Sequence, residues 1–465
     1  MKQILSSIEV LSQTEIEMIN DAALKVIWEV GASIPNAEVI DLCEKNGAKV
    51  DKERQTIKIS PVVMGSLIDE IRKRNFTRDQ SKHGIKPMEA EISTQVFMYD
   101  YKSQTRRYGT LDDVMKGIAL LETLESFKRA NAVVIPADVP PVLTDVTSFH
   151  RVLSYASKEG GTYILSAESA PYIIEMQKAM NRPYNYLLET ISPLEYGRKS
   201  LEIGLVFAKA GGALSLGPMV ISGATGPMSV AGTMVQGTAE ILLSLFVNYS
   251  MTGKLCDRYC NSCHVMDPKT MLCSFGSPNQ SLFAVASAQM GRFYGLNASS
   301  NSGLSDALMP DFQCGMEKSA NLLFAMLAGC TTMGCMGIAG ADQGLSMEQI
   351  VLDNEMFRML NYTLAGFEVN EHSLGVEAIK ETGIGGNFVC SEHTVDYLRS
   401  DYIQSEIFLR EPWTEISQKE LLDRAADYIR HVTIDYKKMT PVVSPAKYDE
   451  LSYILAAAEK QLGKK

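Results

Sequence analysis

The 465-residue sequence has no run of basic residues, no apolar stretch at its start and only six histidines, and each absence closes off a class of function. The formal net charge is −11, with no interleaving of aromatic and basic side chains to offset it. Nucleic acid and anionic membrane surfaces do not attract such a chain. The opening, MKQILSSIEVLSQTEIEM, lacks the sustained apolar core of a signal peptide, so the expectation is a cytoplasmic protein. Nine cysteines are scattered along the chain, several at positions that read as strand or helix. That is the pattern of reduced thiols rather than of a disulfide framework. No serine stands in a nucleophile-elbow pattern. Gly211-Gly212 and Gly223-Ala224-Thr225-Gly226 match neither dinucleotide nor phosphate-loop spacing and read as strand-to-loop turns.

What is present is an ordinary globular composition, 46% apolar and 21% charged, with ample material for a core in one large domain or two. Residues 210–239 carry no charge, a length that suggests a membrane span. Pro218, Pro227 and a scatter of glycines divide the stretch into a strand, a loop and the start of a helix, so no span is expected.

Three regions follow from the patterning. Residues 1–90 read as a helical N-terminal region. Ser12-Gln13-Thr14-Glu15 is a capping box, and Ile16, Ile19, Ala23, Val26, Ile27 and Val30 recur at helical spacing until Gly31. A second helix is expected over 36–47, a strand over 56–59, and a third helix opening at Ser60-Pro61. From there to 345, short apolar runs alternate with helical stretches. The runs lie at 94–99, 132–136, 162–166, 184–189, 213–216, 254–259, 297–301 and 331–336. Ser192-Pro193-Leu194-Glu195, Ser277-Pro278-Asn279-Gln280 and Ser346-Met347-Glu348-Gln349 read as helix starts. Repeated strand–helix units imply parallel strands with right-handed crossovers, and eight of them imply an α/β fold, a (β/α)8 TIM barrel over 91–345. The last region, 346–465, reads as helical and ends in an amphipathic segment over 448–462. In such a barrel the chemistry gathers where strands end, which nominates loops beginning near Tyr99, Asp138, Glu168, Glu189, Met219, Tyr259, Asn301 and Gly337.

The sharpest local pattern is Cys256-x3-Cys260-x2-Cys263-His264. Its spacing resembles the cluster loop of radical S-adenosylmethionine enzymes, and with His264 the thiolates match a zinc set. Against this, the first two cysteines fall on or beside a strand late in the chain, and Ser262 stands where those enzymes carry an aromatic. Buried free thiols are the other reading. Tyr99, Tyr101, Tyr259 and Phe388 follow or end apolar elements; if they meet, their faces would make a cage for a quaternary ammonium. Ordinary packing is the alternative for each one. His264 and His393 follow predicted elements and serve either structure or a site.

Three blocks then carry a family resemblance. Ser302-Gly303-Leu304-Ser305-Asp306-Ala307, followed by Pro310-Asp311-Phe312-Gln313-Cys314-Gly315-Met316-Glu317-Lys318, resembles the signature segment of trimethylamine:corrinoid methyltransferases. Ser346 through Glu355, and Gly383-Ile384-Gly385-Gly386-Asn387-Phe388 with His393-Thr394, resemble further blocks in the same order. The opening helices with Gly31, Gly47-Ala48 and the 57–61 strand and turn are similar to the family's opening. The resemblance implies a (β/α)8 barrel with helical additions and a partner protein that carries the methyl-accepting corrinoid (a cobalamin) and docks at the barrel mouth. The trimethylamine enzymes carry pyrrolysine where this chain has Leu304. The resemblance is therefore to the non-pyrrolysine branch, whose substrates are quaternary amines such as glycine betaine, proline betaine or carnitine, in anaerobic one-carbon metabolism. On this reading Leu304 is pocket wall and Asp306 an electrostatic partner in catalysis. Tyr99, Tyr259 and Phe388 form the cation cage, and Arg258, His264 or Asn301 holds a substrate carboxylate. The chain itself binds no metal, and a homo-oligomer is compatible with all of this. Two other classes stay open: a radical enzyme using the Cys256/Cys260/Cys263 loop, and a barrel that binds a betaine without turning it over.

Overall fold

In the computed structural model, which describes residues 7–76, 88–410, 412 and 420–463, the capping box folds as the residues dictate. Ser12 Oγ accepts from the Glu15 N–H while the Glu15 carboxylate accepts from the Ser12 N–H, opening the helix Gln13–Glu29. Its buried face, Ile16, Ile19, Ala23 and Ile27, packs on the long helix Val230–Thr252. That second helix is long and apolar enough to cross a membrane, yet 72% of its apolar window is buried inside the fold. The uncharged stretch 210–239 is divided as expected, into the strand Ala213–Leu216, a loop with the short strand Ile221–Ser222, and the start of this helix.

The chain is mixed α/β. One parallel ladder runs through its middle. The strand Glu89–Ile92 pairs with Thr332–Met336, which pairs with Asn297–Ser300, which pairs with Arg258–Cys260. Beyond Cys260 the ladder passes to the next segment through Ser262 N–H to Pro218 O and His264 N–H to Val220 O, at 3.3 and 2.9 Å. Ala213–Leu216 in turn pairs in parallel with Asn185–Leu188. On the other flank of Glu89–Ile92, bridges Ala90↔Phe127 and Gln95↔Val134 carry the ladder into 127–134. Arg129↔Glu159 and the bond from Ala132 N–H to Gly161 O then carry it into 159–161. Eight parallel segments thus follow one another in chain order. Between 159–164 and 185–188 no backbone hydrogen bond joins them among the described residues.

Several boundaries differ from the expectation. The runs at 132–136 and 162–166 are extended segments tied by single bridges and loop bonds rather than strands. The run at 94–99 divides: the ladder strand lies earlier, at Glu89–Ile92, and Phe97–Asp100 turns into a hairpin with Thr105–Tyr108. The sixth run starts later, at Arg258. Ser192-Pro193-Leu194-Glu195 does not open a helix; it is the turn between Thr190–Ile191 and Glu195–Tyr196. The cause lies elsewhere in the chain. The buried Glu240 carboxylate accepts from Ser192 Oγ at 2.7 Å, Thr190 Oγ1 at 3.2 Å and Leu194 N–H at 3.0 Å, and so holds these residues in a turn.

Two helices that cover the ladder are joined by a buried ion pair. Lys318 in Phe312–Ala328 and Asp353 in Met347–Ala365 meet at 2.8 Å, both side chains 0% exposed. The remaining capacity of Asp353 is filled by Gly337 N–H at 2.6 Å and Gln349 Nε2 at 2.7 Å. Removing one partner of such a pair leaves a buried charge alone. Asp353→Ala is therefore expected to cost about 3–5 kcal/mol. Lys318→Met with Asp353→Asn, which keeps an oxygen for the Gly337 N–H, should recover part of that loss. Urea unfolding of the three proteins measures it, and a single variant as stable as the parent would remove the pair from its structural role.

Candidate functional site

The carboxyl ends of the parallel segments bring together side chains that are far apart in the sequence. Gln95 follows the first strand. Its N–H donates to Val133 O and its carbonyl accepts from Ile135 N–H, which seats it between the first two segments. From there Gln95 Nε2 donates to Asp342 Oδ1 at 3.1 Å. Asp342 and Ala341 lie in the loop after the eighth strand with φ of 59° and 53°, and Cys335 within that strand has φ of 71°. Non-glycine residues held in the left-handed region store strain of about 1–3 kcal/mol each, and such strain gathers at functional sites. Glu189 directly follows the fourth strand, and Tyr163 lies on the third segment.

These groups act on one another. Burial pushes the Glu189 carboxyl above its ordinary range. Burial, and then the charge of Glu189, push Asp342 up to about 6 against the opposing bond from Gln95. The Tyr163 phenol is held well above its usual value by burial and then by Glu189, Cys335 and Asp342. Yet Tyr163 is 39% exposed. The ring therefore stands at the solvent-facing edge of this group rather than inside it. The charged groups that act on these three side chains are all acidic, apart from the Cys335 thiol.

A second group adjoins the first. Leu304, 1% exposed, packs with Phe275, Cys335 and Ile338, with Cys273 and Ala341 against them. The Cys273 thiol is pushed up to about 12 by burial and by both Asp306 and Asp342, so it stands between the two groups. Asp306 accepts from Ser274 Oγ and Phe275 N–H, both at 2.6 Å, and from Gly276 N–H at 3.1 Å. His264 sits edge-on to the Phe275 ring at 4.7 Å. It is 1% exposed, and neither Nδ1 nor Nε2 has a hydrogen-bond partner. Burial pulls its pKa down to about 4, so the imidazole is neutral at pH 7. Gln280, 3% exposed, lies beside it, its Oε1 toward the imidazole but short of a well-formed hydrogen bond and without another partner.

The residues nominated from sequence are not all here. Leu304, Asp306 and His264 are. Asn301 is near, its Nδ2 donating to Ser262 Oγ at 2.8 Å and so tying two strand ends together. Tyr259 is not on a cavity: it is fully buried, its ring stacked on Tyr294 at 5.9 Å and its hydroxyl bonded to Thr238. Side chains alternate along a strand, and Tyr259 takes the face toward the helices. Arg258 opens its strand, so it lies at the end away from the site. Tyr99 belongs to the hairpin, its hydroxyl buried without a partner near Glu348 and Asp100. Phe388 is 41% exposed in the C-terminal region, with no ring contact to the other three aromatics. The three cysteines of the 256–263 loop do not converge: Cys263 Sγ donates to Asn261 Oδ1 at 2.9 Å, while Cys256 contacts Arg258 O. Among the described residues no group of three acidic, histidine or cysteine side chains is placed to hold a metal. A groove of about 420 Å³ lined by Glu175, Lys178 and Tyr453 lies between two outer helices, away from the strand ends.

Gln95, Tyr163 and Asp342 were missed by the sequence reading, and Glu189 was reached only as the start of a loop. The one available signal was a carboxylate directly after an apolar strand run, the position where barrel enzymes place reacting groups.

The profile of the family described as trimethylamine methyltransferase matches residues 1–463. The chain belongs to that family. It is 26% identical to the trimethylamine methyltransferase MttB of Methanosarcina barkeri (strain Fusaro), over 96% of this chain and 94% of the relative. It is 23% identical to the glycine betaine methyltransferase of Desulfitobacterium hafniense (strain Y51), over the whole of both chains. A trimethylamine methyltransferase MttB of Desulfitobacterium hafniense (strain DCB-2) is 24% identical over 94% of this chain and 91% of its own.

Two outcomes are expected of the site residues. A carboxyl whose folded pKa is raised destabilises the fold increasingly as pH rises from its unfolded value of 3.8 to about 6, and fully above that. Asp342→Asn, which keeps an oxygen for Gln95, should therefore raise the thermal midpoint at pH 7.5 and lose most of that gain by pH 4.5. A gain that is the same at both pH values would show that ionisation is not its source. Protein purified without oxygen should contain neither iron nor zinc in stoichiometric amount by elemental analysis. Metal that disappears on Cys260→Ser with Cys263→Ser would overturn the reading of free thiols.

Proposed function

We propose that the protein is a methyltransferase moving an N-methyl group from a quaternary amine to the reduced cobalt of a corrinoid carried by a separate protein. The supporting observation is the site itself. An apolar wall around Leu304 adjoins two carboxylates, Glu189 and Asp342, with no activated nucleophile among them.

A quaternary ammonium already carries its positive charge, and its amine leaves neutral once the methyl group departs. The carbon–nitrogen electron pair stays with nitrogen, and the new carbon–cobalt bond draws its pair from cobalt(I), which is formally oxidised by two electrons. No general acid is needed. The work left for this chain is to desolvate the cation, aim one methyl group outward and keep water away. Leu304, Phe275 and Ile338 are suited to the apolar part of that task, because an N-methyl group presents diffuse charge and forms no strong hydrogen bond. Glu189 and Asp342 would balance the ammonium charge, with Tyr163 offering it a ring face.

On this reading the eight parallel segments close as a (β/α)8 barrel over residues 91–345. Regions 1–90 and 346–465 pack around it, and the corrinoid protein docks over the mouth in the cytoplasm. Leucine in place of pyrrolysine leaves the site without an electrophile, which supports a quaternary amine over trimethylamine.

The test is a panel of methylated amines mixed with the protein and a reduced corrinoid partner, following the cobalt(I)-to-methylcobalt(III) change in the visible spectrum. Methylation from a quaternary amine and none from trimethylamine is the expected result; the reverse would overturn the proposal. Leu304→Ala should raise KM, the lost apolar burial costing about 1–3 kcal/mol, and leave methyl transfer intact. Complete loss of transfer in a folded variant would give Leu304 a direct role that a leucine side chain cannot explain.

A further inference from the structure

We propose that the methyl donor is a quaternary ammonium with no carboxylate, its charge facing Glu189 and Asp342 and its other end, a hydroxyl, meeting His264 and Gln280. This rests on the reading of the site as one for a quaternary amine and narrows it. The argument is a balance of charges and of hydrogen-bonding groups.

The ammonium end comes first. Asp342 and Glu189 stand just beyond the carboxyl ends of the eighth and fourth strands, close enough to Tyr163 and to each other for the charge of Glu189 to act on the other two. Among the described residues no lysine or arginine is bonded to any of the three, Arg106 being turned to the neighbouring Gln343 Oε1 at 2.7 Å. The neighbouring Cys273 is acted on by Asp306 and Asp342, both acidic. A net-positive ligand relieves that accumulation, while a zwitterion brings an anion into it.

A betaine carboxylate would need cations or a set of donors at its far end. Lys318 is already spent on Asp353 at 2.8 Å, and Arg258 is at the opposite end of its strand. What stands beside Phe275 instead is His264, with Gln280 next to it and Asp306 near enough for its charge to be felt. A neutral imidazole offers one N–H donor and one acceptor, and Gln280 Oε1 is a second acceptor. Gln280 Oε1 lies toward one imidazole N–H without a well-formed bond, and neither has another partner; the second ring nitrogen is then a buried acceptor that nothing in the protein meets, a cost that unpaired polar groups do not bear unless something else meets them. A carboxylate supplies only acceptors and would confront two more, besides the charge of Asp306. A hydroxyl both donates and accepts, and it satisfies the pair without adding charge.

Calorimetric titration of the full chain at pH 7.5 with four probes tests this: choline, tetramethylammonium, glycine betaine and the uncharged carbon analogue 3,3-dimethylbutan-1-ol. Choline should bind about tenfold or more tighter than either glycine betaine or the uncharged analogue. Glu189→Gln and Asp342→Asn should each weaken choline and tetramethylammonium by roughly tenfold and leave the uncharged analogue unchanged. His264→Phe, checked for folding by circular dichroism, should weaken choline and not tetramethylammonium. Tighter binding of glycine betaine than of choline, or choline binding indifferent to both carboxylate variants, overturns the proposal. If His264→Phe does not fold, equal affinity of the parent for choline and tetramethylammonium overturns the hydroxyl assignment, and a preference for choline supports it. Corrinoid methylation separates this from the broader reading. Turnover of glycine betaine with choline idle defeats this inference alone, whereas tight choline binding with no methylation from any quaternary amine defeats methyl transfer and leaves the binding assignment standing.

Discussion

The ion pair between Lys318 and Asp353 holds the eighth strand to its covering helices. Asp353 also accepts from Gly337 N–H, at the point where that strand ends and the loop carrying Ala341 and Asp342 begins. A charge buried at 0% exposure tolerates little displacement, because any loss of geometry leaves desolvation uncompensated. On either side of that clamp three non-glycine residues, Cys335, Ala341 and Asp342, stay in the left-handed region, a conformation that persists only where the surroundings over-determine it. Asp342 then reaches Gln95, which is itself pinned between the first and second segments. The site inherits its geometry from a contact that touches no ligand.

Charge is distributed unevenly over the two halves of that site. At one side two desolvated carboxylates share a wall with Tyr163, and Asp342 resists ionisation up to about pH 6. At the other, His264 is kept neutral by burial, with Asp306 tied down by three donors from the neighbouring 274–276 loop. Between them Leu304, Phe275 and Ile338 exclude water. This arrangement is expensive for folding, since unpaired polar atoms and raised carboxyl pKa values both subtract from stability. The expense makes sense if a cation restores the balance when it binds. It also fits a reaction in which the leaving amine departs uncharged, because the acidic wall then loses its hold on the product once the methyl group has gone.

Membership of the trimethylamine methyltransferase family is consistent with a scaffold that supports different amines by altering a few residues at strand ends. Relatives named for trimethylamine and for glycine betaine are about equally distant from this chain, at 26% and 23% identity. Overall likeness therefore does not choose between substrates. The proposed choice rests instead on local features, Leu304 and the acidic groups around Asp342.

The sequence by itself determined the features that depend on near neighbours. The capping residues Ser12, Asn36 and Ser346 open helices where their side chains can bond N–H groups three residues on, and Ala213–Leu216 has the bounds its apolar run implied. The strand–helix alternation was legible for the same reason, as a pattern within short windows, while Leu304 and Asp306 were nominated through the family resemblance of the block that holds them. Only tertiary structure decided the rest. Glu240 turned a good helix-start signal at Ser192 into a hairpin from 48 positions away. Tyr259 fell on the helix-facing side of its strand because a one-residue difference in register decides which way a ring points. Gln95 and Asp342 are 247 residues apart and meet only because the first and eighth segments lie side by side. That neighbourhood comes from the pairing of the first strand with the eighth, and no stretch of sequence contains it.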